Sequence, residues 1–200
     1  MTSTPTTLTA TILTPTTSTA TASTATAPLR PQSGEYAPYY DRYISLVPGN
    51  DDLAALTALE NQRRQMVLLL SGRTEADGDL RYAPEKWSLK EVLGHINDTE
   101  RIMSYRALRI ARGDQTPIEG FEQDDYVRDG PFARRTLADL IEDYIAVRRA
   151  TVSLFHNLDE AAWARRGVAN KNEISVRALA YIIAGHELHH RRIIEEKYLK

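Results

Sequence analysis

Four stretches of roughly twenty residues repeat apolar side chains at helical spacing. No stretch alternates apolar and polar residues for more than a few positions. Together these predict an all-α protein, a four-helix bundle. Start and stop signals at the ends of the four stretches agree with it.

Asp51 or Asp52 can cap a first helix that runs to about Leu70. Leu53, Leu56, Leu59, Met66, Leu69 and Leu70 supply its apolar side, and Gly72 ends it before a polar loop, Arg73–Asp79. Ser88 with Glu91 three residues on is a capping box for the second helix, and Trp87 sits at the staple position before it. That helix reaches about Arg112 and stops at Gly113. Residues 113–131, with Gly113, Pro117, Gly120, Gly130 and Pro131, read as a long loop able to shape the mouth of a pocket. The third helix spans about Thr136 to Asn157, and the fourth starts near Ser175 and continues almost to the end.

Ahead of these, residues 1–27 are almost entirely Thr, Ala and Ser, with no charge before Arg30. Such a segment has little to bury against its ordering entropy, so residues 1–35 are expected to be a disordered tail and residues 36–200 the bundle domain. The tail lacks the basic start and apolar core of a secretory signal. Residues 28–49, rich in proline and tyrosine, are expected to lead irregularly over the domain surface.

Composition removes several function classes. The 200 residues hold 25 basic and 27 acidic side chains, which argues against a broad nucleic-acid footprint. No apolar run approaches the ~20 residues that span a bilayer. A cytoplasmic protein without membrane or nucleic-acid partners is expected. With no cysteine, thiolate nucleophiles and Cys-held zinc are excluded.

Histidine is therefore the informative residue type. His186-Glu187-Leu188-His189-His190 puts two imidazoles one turn apart on the fourth helix, and the wheel centres both His186 and His190 on its apolar stripe. His189 falls at the stripe's edge, and Glu187 about 100° from His186, off it. Two imidazoles at that spacing on a buried face can share one metal ion. On the second helix His95 falls on the shoulder of the stripe, where it would sit at a pocket mouth. Asp98 and Glu100 follow it, and either could orient its ring. His156 has no supporting pattern. The stretch also matches the H-E-x-x-H pattern of zinc peptidases. Such a site needs a further ligand, and only ten residues follow His190, all on the same helix.

The stretches Trp87-Ser88-Leu89-Lys90-Glu91-Val92-Leu93-Gly94-His95-Ile96-Asn97-Asp98-Thr99-Glu100 and Gly185-His186-Glu187-Leu188-His189-His190-Arg191-Arg192-Ile193 resemble, in order, two elements of the DinB-like superfamily and its YfiT-like group. The resemblance covers roughly residues 50–198. It implies a four-helix bundle with an unusual connection order and one metal held by His95, His186 and His190. Arg191 and Arg192 stand where many members carry Gly and Gln, and the Thr-rich tail has no counterpart.

Three neutral nitrogens would leave zinc, or nickel, iron or another divalent ion, with an open position. The resemblance implies a metal-dependent hydrolase or thiol S-transferase that activates water or a low-molecular-weight thiol toward an electrophilic substrate. A non-catalytic metal- or ligand-binding stress protein is the alternative. A homodimer is compatible with either.

Overall fold

The computed structural model describes residues 30–200. The first 29 residues of the expected tail lie outside the described residues.

Four long helices make the bundle: α2 (Asp52–Leu70), α4 (Leu89–Ala111), α6 (Leu137–His156) and α8 (Val176–Ile193). Their starts are where the cap signals placed them. Asp51 accepts from the Ala54 amide at 2.7 Å, Ser88 and Glu91 close a capping box, and Thr136 and Ser175 cap α6 and α8.

Each of α2 and α8 packs on α6 or α4 in a ring: α4 touches α6 and α8, and α2 touches the same two. Thus α2 and α4, consecutive in the bundle, lie diagonally, as do α6 and α8. A diagonal step cannot be made by a tight turn, and both diagonal connections carry structure of their own. The Arg73–Asp79 loop expected before α4 contains a short helix, α3 (Glu75–Asp79), closed by a Thr74–Asp77 capping box. Between α6 and α8 come α7 (Glu160–Ala164) and a hairpin of β1 (Arg166–Ala169) and β2 (Asn172–Ser175). The hairpin turns through Asn170 and Lys171, both at positive φ. Two four-residue strands are too short for a period-2 pattern to show in the sequence.

Residues 113–131 are likewise not one loop. They hold α5 (Gln123–Asp129), and Ile118 bridges to Ala169 of β1. Seven residues give too few turns for a periodic signal to emerge among the glycines and prolines.

The lead-in also differs from expectation. It forms a 3₁₀ turn, Pro38–Tyr40, and a short helix, α1 (Asp41–Ile44), which packs against α8 rather than over the surface. Tyr43, Ile44 and Val47 are buried in the core. Gly185 makes this possible, since a Cβ there would stand 2.0 Å from the Tyr43 carbonyl oxygen. Contacts extend upstream of the expected domain start at 36. Arg30 donates to the carbonyls of Val47 (2.8 Å) and Gly49 (2.9 Å), and the Ser175 amide donates to Glu35 O (3.0 Å).

The apolar core falls into two clusters along the bundle axis. One gathers Ile44, Leu59, Met103, Phe155, Leu179 and Ile182, and the other Met66, Leu93, Ile96, Leu140, Tyr144 and Ile194. Between them every bundle helix contributes a buried polar group: Gln62 from α2, Glu100 from α4, Arg148 from α6 and Glu187 from α8.

Candidate metal centre

The α4–α8 neighbourhood sets the site. His95 on α4 meets His186 and His190 on α8, and one ligand nitrogen from each lies within 4.8 Å of the others. His186 Nε2 is 3.0 Å from His95 Nε2 and 3.1 Å from His190 Nε2. Trp87 packs on His95 with ring centroids 4.9 Å apart, and Tyr43 packs edge-on to His186 at 5.3 Å. Beyond Ile193 the chain continues into a π-helical turn, Ile194–Tyr198, and Tyr198 Oη donates to the Trp87 carbonyl at 2.6 Å. That bond ties the end of α8 to the start of α4 and holds Trp87 over the imidazole.

His95 is not at a pocket mouth but buried, 3 % exposed. The wheel misplaces it because α4 packs on both α6 and α8, so its buried face is far wider than one stripe. The same reason buries Glu187 at 1 % exposure, although it lies off the stripe.

Burial lowers all three imidazoles. His95 is pulled to about 4 by loss of solvation, with a smaller contribution from His189. His186 and His190 lie well below 6.5, chiefly through burial and then the other histidines. All three are therefore neutral near pH 7, each with one N–H and one lone pair. An Nε2 atom has a single site in the ring plane, either proton or lone pair, so His186 Nε2 can satisfy only one of its two neighbours by hydrogen bonding. Three lone pairs converging on a cation satisfy all of them. Ligand nitrogens 2.0–2.1 Å from a tetrahedral ion would stand about 3.4 Å apart, a few tenths beyond the spacing here. The donor set therefore fits a divalent metal, with no carboxylate among the described residues of the cluster.

With Nε2 on the metal, Nδ1 must carry the proton. Thr99 Oγ1 lies 3.5 Å from His95 Nδ1 and is the group placed to accept it. Neither of the expected orienting carboxylates does so. Asp98 pairs with Arg101 at 3.2 Å, and Glu100 pairs with Arg148. An acidic residue one turn from a ligand reads as its partner in sequence, but here the side chains turn to cations on neighbouring positions and helices.

His189 remains half-buried, its ring edge-on to Tyr43 at 5.6 Å, and it does not join the cluster. His156 is exposed near the far end of α6. Arg191 donates to Gln65 Oε1 and so joins α8 to α2, while Arg192 pairs with Glu196 at 3.1 Å on the surface.

Two cavities flank the imidazoles. One of about 380 Å³ is bordered by His95 and His186 together with Tyr43, Thr99, Arg106 and Phe121. The other, of about 350 Å³, is bordered by His190, Trp87 and Tyr198. Asp124, at the start of α5, borders both, so the 113–131 segment does reach the site. Of its other charged residues, Glu122 borders the first cavity, and Asp125 and Arg128 pair at 2.5 Å on the surface.

Sequence reasoning did not find the polar layer beneath. Arg148 donates to both Glu100 oxygens at 2.8 Å, to Gln62 Oε1 at 2.9 Å and to Leu59 O at 3.0 Å. Gln62 donates in turn to Ala184 O at 2.9 Å. Glu187 stands 3.5 Å from Arg148 Nη1, and burial pushes its carboxyl up to about 7. It borders neither cavity, so it is not placed as the general base an H-E-x-x-H peptidase requires. Each helix carries several polar residues, so nothing in the sequence singles out these four.

These shifts set the acid stability of the metal-free protein. In the unfolded chain the imidazoles titrate near 6.5, so between about 6.5 and 4 the unfolded state binds more protons than the folded one. Stability is therefore lost as pH falls through that window. Glu187 acts oppositely: raised from 4.5 to about 7, it holds its proton in the folded state and its contribution declines as pH rises. Three imidazoles outweigh one carboxyl. Urea unfolding of chelator-treated protein from pH 7.5 to 4.5 is expected to show a falling midpoint, steeper in Glu187→Gln, and a flat profile would contradict it.

Fold and site together define a four-helix bundle built around a cluster of three neutral imidazoles. The chain belongs to the DinB superfamily, whose family model matches residues 58–194. Among solved structures it is similar to YfiT from Bacillus subtilis, described as a probable metal-dependent hydrolase with an unusual four-helix bundle topology. The two share 15 % identity and superpose with a TM-score of 0.66 over 73 % of this chain and 85 % of that one. No curated protein matches. Among the described residues, no helix is long and apolar enough to cross a membrane.

Proposed function

We propose that the protein is a metal-dependent transferase that activates a low-molecular-weight thiol for attack on an electrophilic substrate. The observation that carries this is the convergence of three neutral Nε2 atoms beside a cavity of about 380 Å³. His95, His186 and His190 would hold one divalent ion, zinc foremost, and a bound ion would supply Lewis acidity at an open position. Three uncharged ligands leave the ion's charge unneutralised, which favours an anionic fourth ligand. A thiolate is a softer such ligand than hydroxide, and this chain contributes none of its own. Trp87, Tyr43 and Phe121 line the approach with aromatic surface, which limits water and suits an apolar electrophile.

Cobalt-substituted protein tests the reading. A small thiol is expected to produce a thiolate-to-cobalt absorption band, and the zinc form to accelerate its reaction with 1-chloro-2,4-dinitrobenzene. There a carbon–sulfur bond forms, chloride leaves, and the thiol proton passes to solvent. A band without rate enhancement, toward this or a panel of other electrophiles, would favour a non-catalytic metal or ligand binder. Acceleration of ester or amide hydrolysis without any thiol band would favour water as the nucleophile.

A further inference from the structure

The wall of the larger cavity contains a second buried arginine, and it differs from Arg148 in one respect. Arg148 faces both oxygens of Glu100. Arg106, 2 % exposed on α4, makes no ion pair with any described residue. Its Nη2 donates to the Glu119 carbonyl at 2.8 Å, its Nη1 approaches Met103 Sδ at 3.6 Å, and its Nε is buried without a protein acceptor among the described residues. Phe121 lies against the guanidinium, with Cζ 5.8 Å from the ring centroid, and the Tyr40 hydroxyl is a neutral hydrogen-bonding neighbour that brings no counter-charge. A buried guanidinium with no counter-charge is costly unless an anion completes it.

Its position says where that anion comes from. His95, Thr99, Met103 and Arg106 follow one another at steps of four, four and three on α4, so they form one row along the helix, and all four border the cavity. The first and last are eleven residues apart, about 16 Å along the axis. The exposed carboxylates Glu122 and Asp124 border the same cavity at its rim and leave Arg106 unpaired.

We infer that Arg106 is a substrate-binding residue that receives the carboxylate of an elongated acid whose other end reaches the histidine cluster. The planar fork of a guanidinium matches a carboxylate's two oxygens. Contacts of about 2–3 Å at each end leave roughly 11 Å of that span, which suits an extended compound about three amino-acid residues long. The inference rests on the proposed function for the thiol end of the ligand, while the carboxylate end stands on Arg106 alone.

The probes are four tripeptides: Ala-Gly-Gly and Cys-Gly-Gly, each as the free acid and as the C-terminal amide. In nitrogen-15-labelled zinc-loaded protein, the Arg106 Nε–H resonance, identified by its loss in Arg106→Lys, is expected to move saturably with Ala-Gly-Gly. The amide should bind at least about tenfold more weakly, the loss of one charge-assisted contact. In Arg106→Gln the acid and the amide should bind alike. An unmoved Nε resonance, or equal affinity for acid and amide in the wild type, overturns the inference whatever the variant does. Cys-Gly-Gly on the cobalt form separates the two proposals. If it gives no thiolate band while Ala-Gly-Gly still titrates Arg106, the thiol reading fails and the carboxylate site stands. If Cys-Gly-Gly and its amide give the band with equal affinity, the carboxylate site fails and the thiol reading stands.

Discussion

Replacing His186 with alanine is expected to reduce bound metal from about one ion per chain to background. His186 Nε2 is the atom that both other imidazoles of the cluster approach, at 3.0 and 3.1 Å, so its removal opens the cluster at its centre. Even residues that only orient a ligand cost 10–100-fold in affinity when changed, so loss of a ligand itself should cost at least about 100-fold. His95→Ala and His190→Ala should follow, and His189→Ala should retain the ion, because its ring packs edge-on to Tyr43 outside the cluster. Elemental analysis after dialysis, with chelator competition, reads all four. A thermal signature accompanies it. Metal present at 100 times its dissociation constant should stabilise the wild type by about 2.7 kcal/mol, and this increment should vanish in His186→Ala. Unchanged metal content in the His95, His186 and His190 variants would end the proposed site.

Arg148→Met is expected to be the most destabilising single change in the polar layer. It leaves Glu100 buried without its two 2.8 Å bonds and removes the donor to Gln62 and Leu59 O. Breaking a buried ion pair by removing one partner costs about 3–5 kcal/mol. In a domain of this size each kcal/mol moves the midpoint by about 2–4 °C, so a fall of roughly 6–20 °C is expected in calorimetry of the metal-free protein. Replacing both partners, Glu100→Met with Arg148→Met, should recover much of the loss, because Glu100 no longer leaves a charge unpaired and Glu187, already raised to about 7 by burial, can take a proton. A fall of less than about 2 °C for Arg148→Met would show that the layer is not held by this pair.

This layer explains why part of the site escapes a helical wheel. A wheel assumes one buried stripe per helix, which holds for a helix packed on one side. In the ring described above, α4 and α8 are each covered on several sides, α8 by α2, α4 and α1 together. His186 and His190 sit at the centre of the stripe and were legible. His95 and Glu187 sit off it and are buried all the same. The connections were less legible still. Five residues of α3, seven of α5 and the four-residue strands are shorter than the window over which periodicity accumulates. Tyr43 reached the core only through a contact with Gly185, about 140 positions away in the chain.

What the sequence determined by itself was local. Helix starts at Asp51, Ser88, Thr136 and Ser175 follow from side chains that satisfy their own amides three residues on, and the i, i+4 pairing of His186 with His190 follows from helix geometry. The absence of cysteine restricted any metal to nitrogen and oxygen ligands. The long-range choices belong to the tertiary structure. Only the diagonal crossings, which make α4 and α8 neighbours, bring His95 to the pair ninety residues downstream. The same packing pairs one buried arginine with Glu100 and leaves the other, Arg106, facing the cavity without a carboxylate. A partner supplied by another helix leaves no periodic trace in the sequence around either residue, because the pairing is decided by which helices touch.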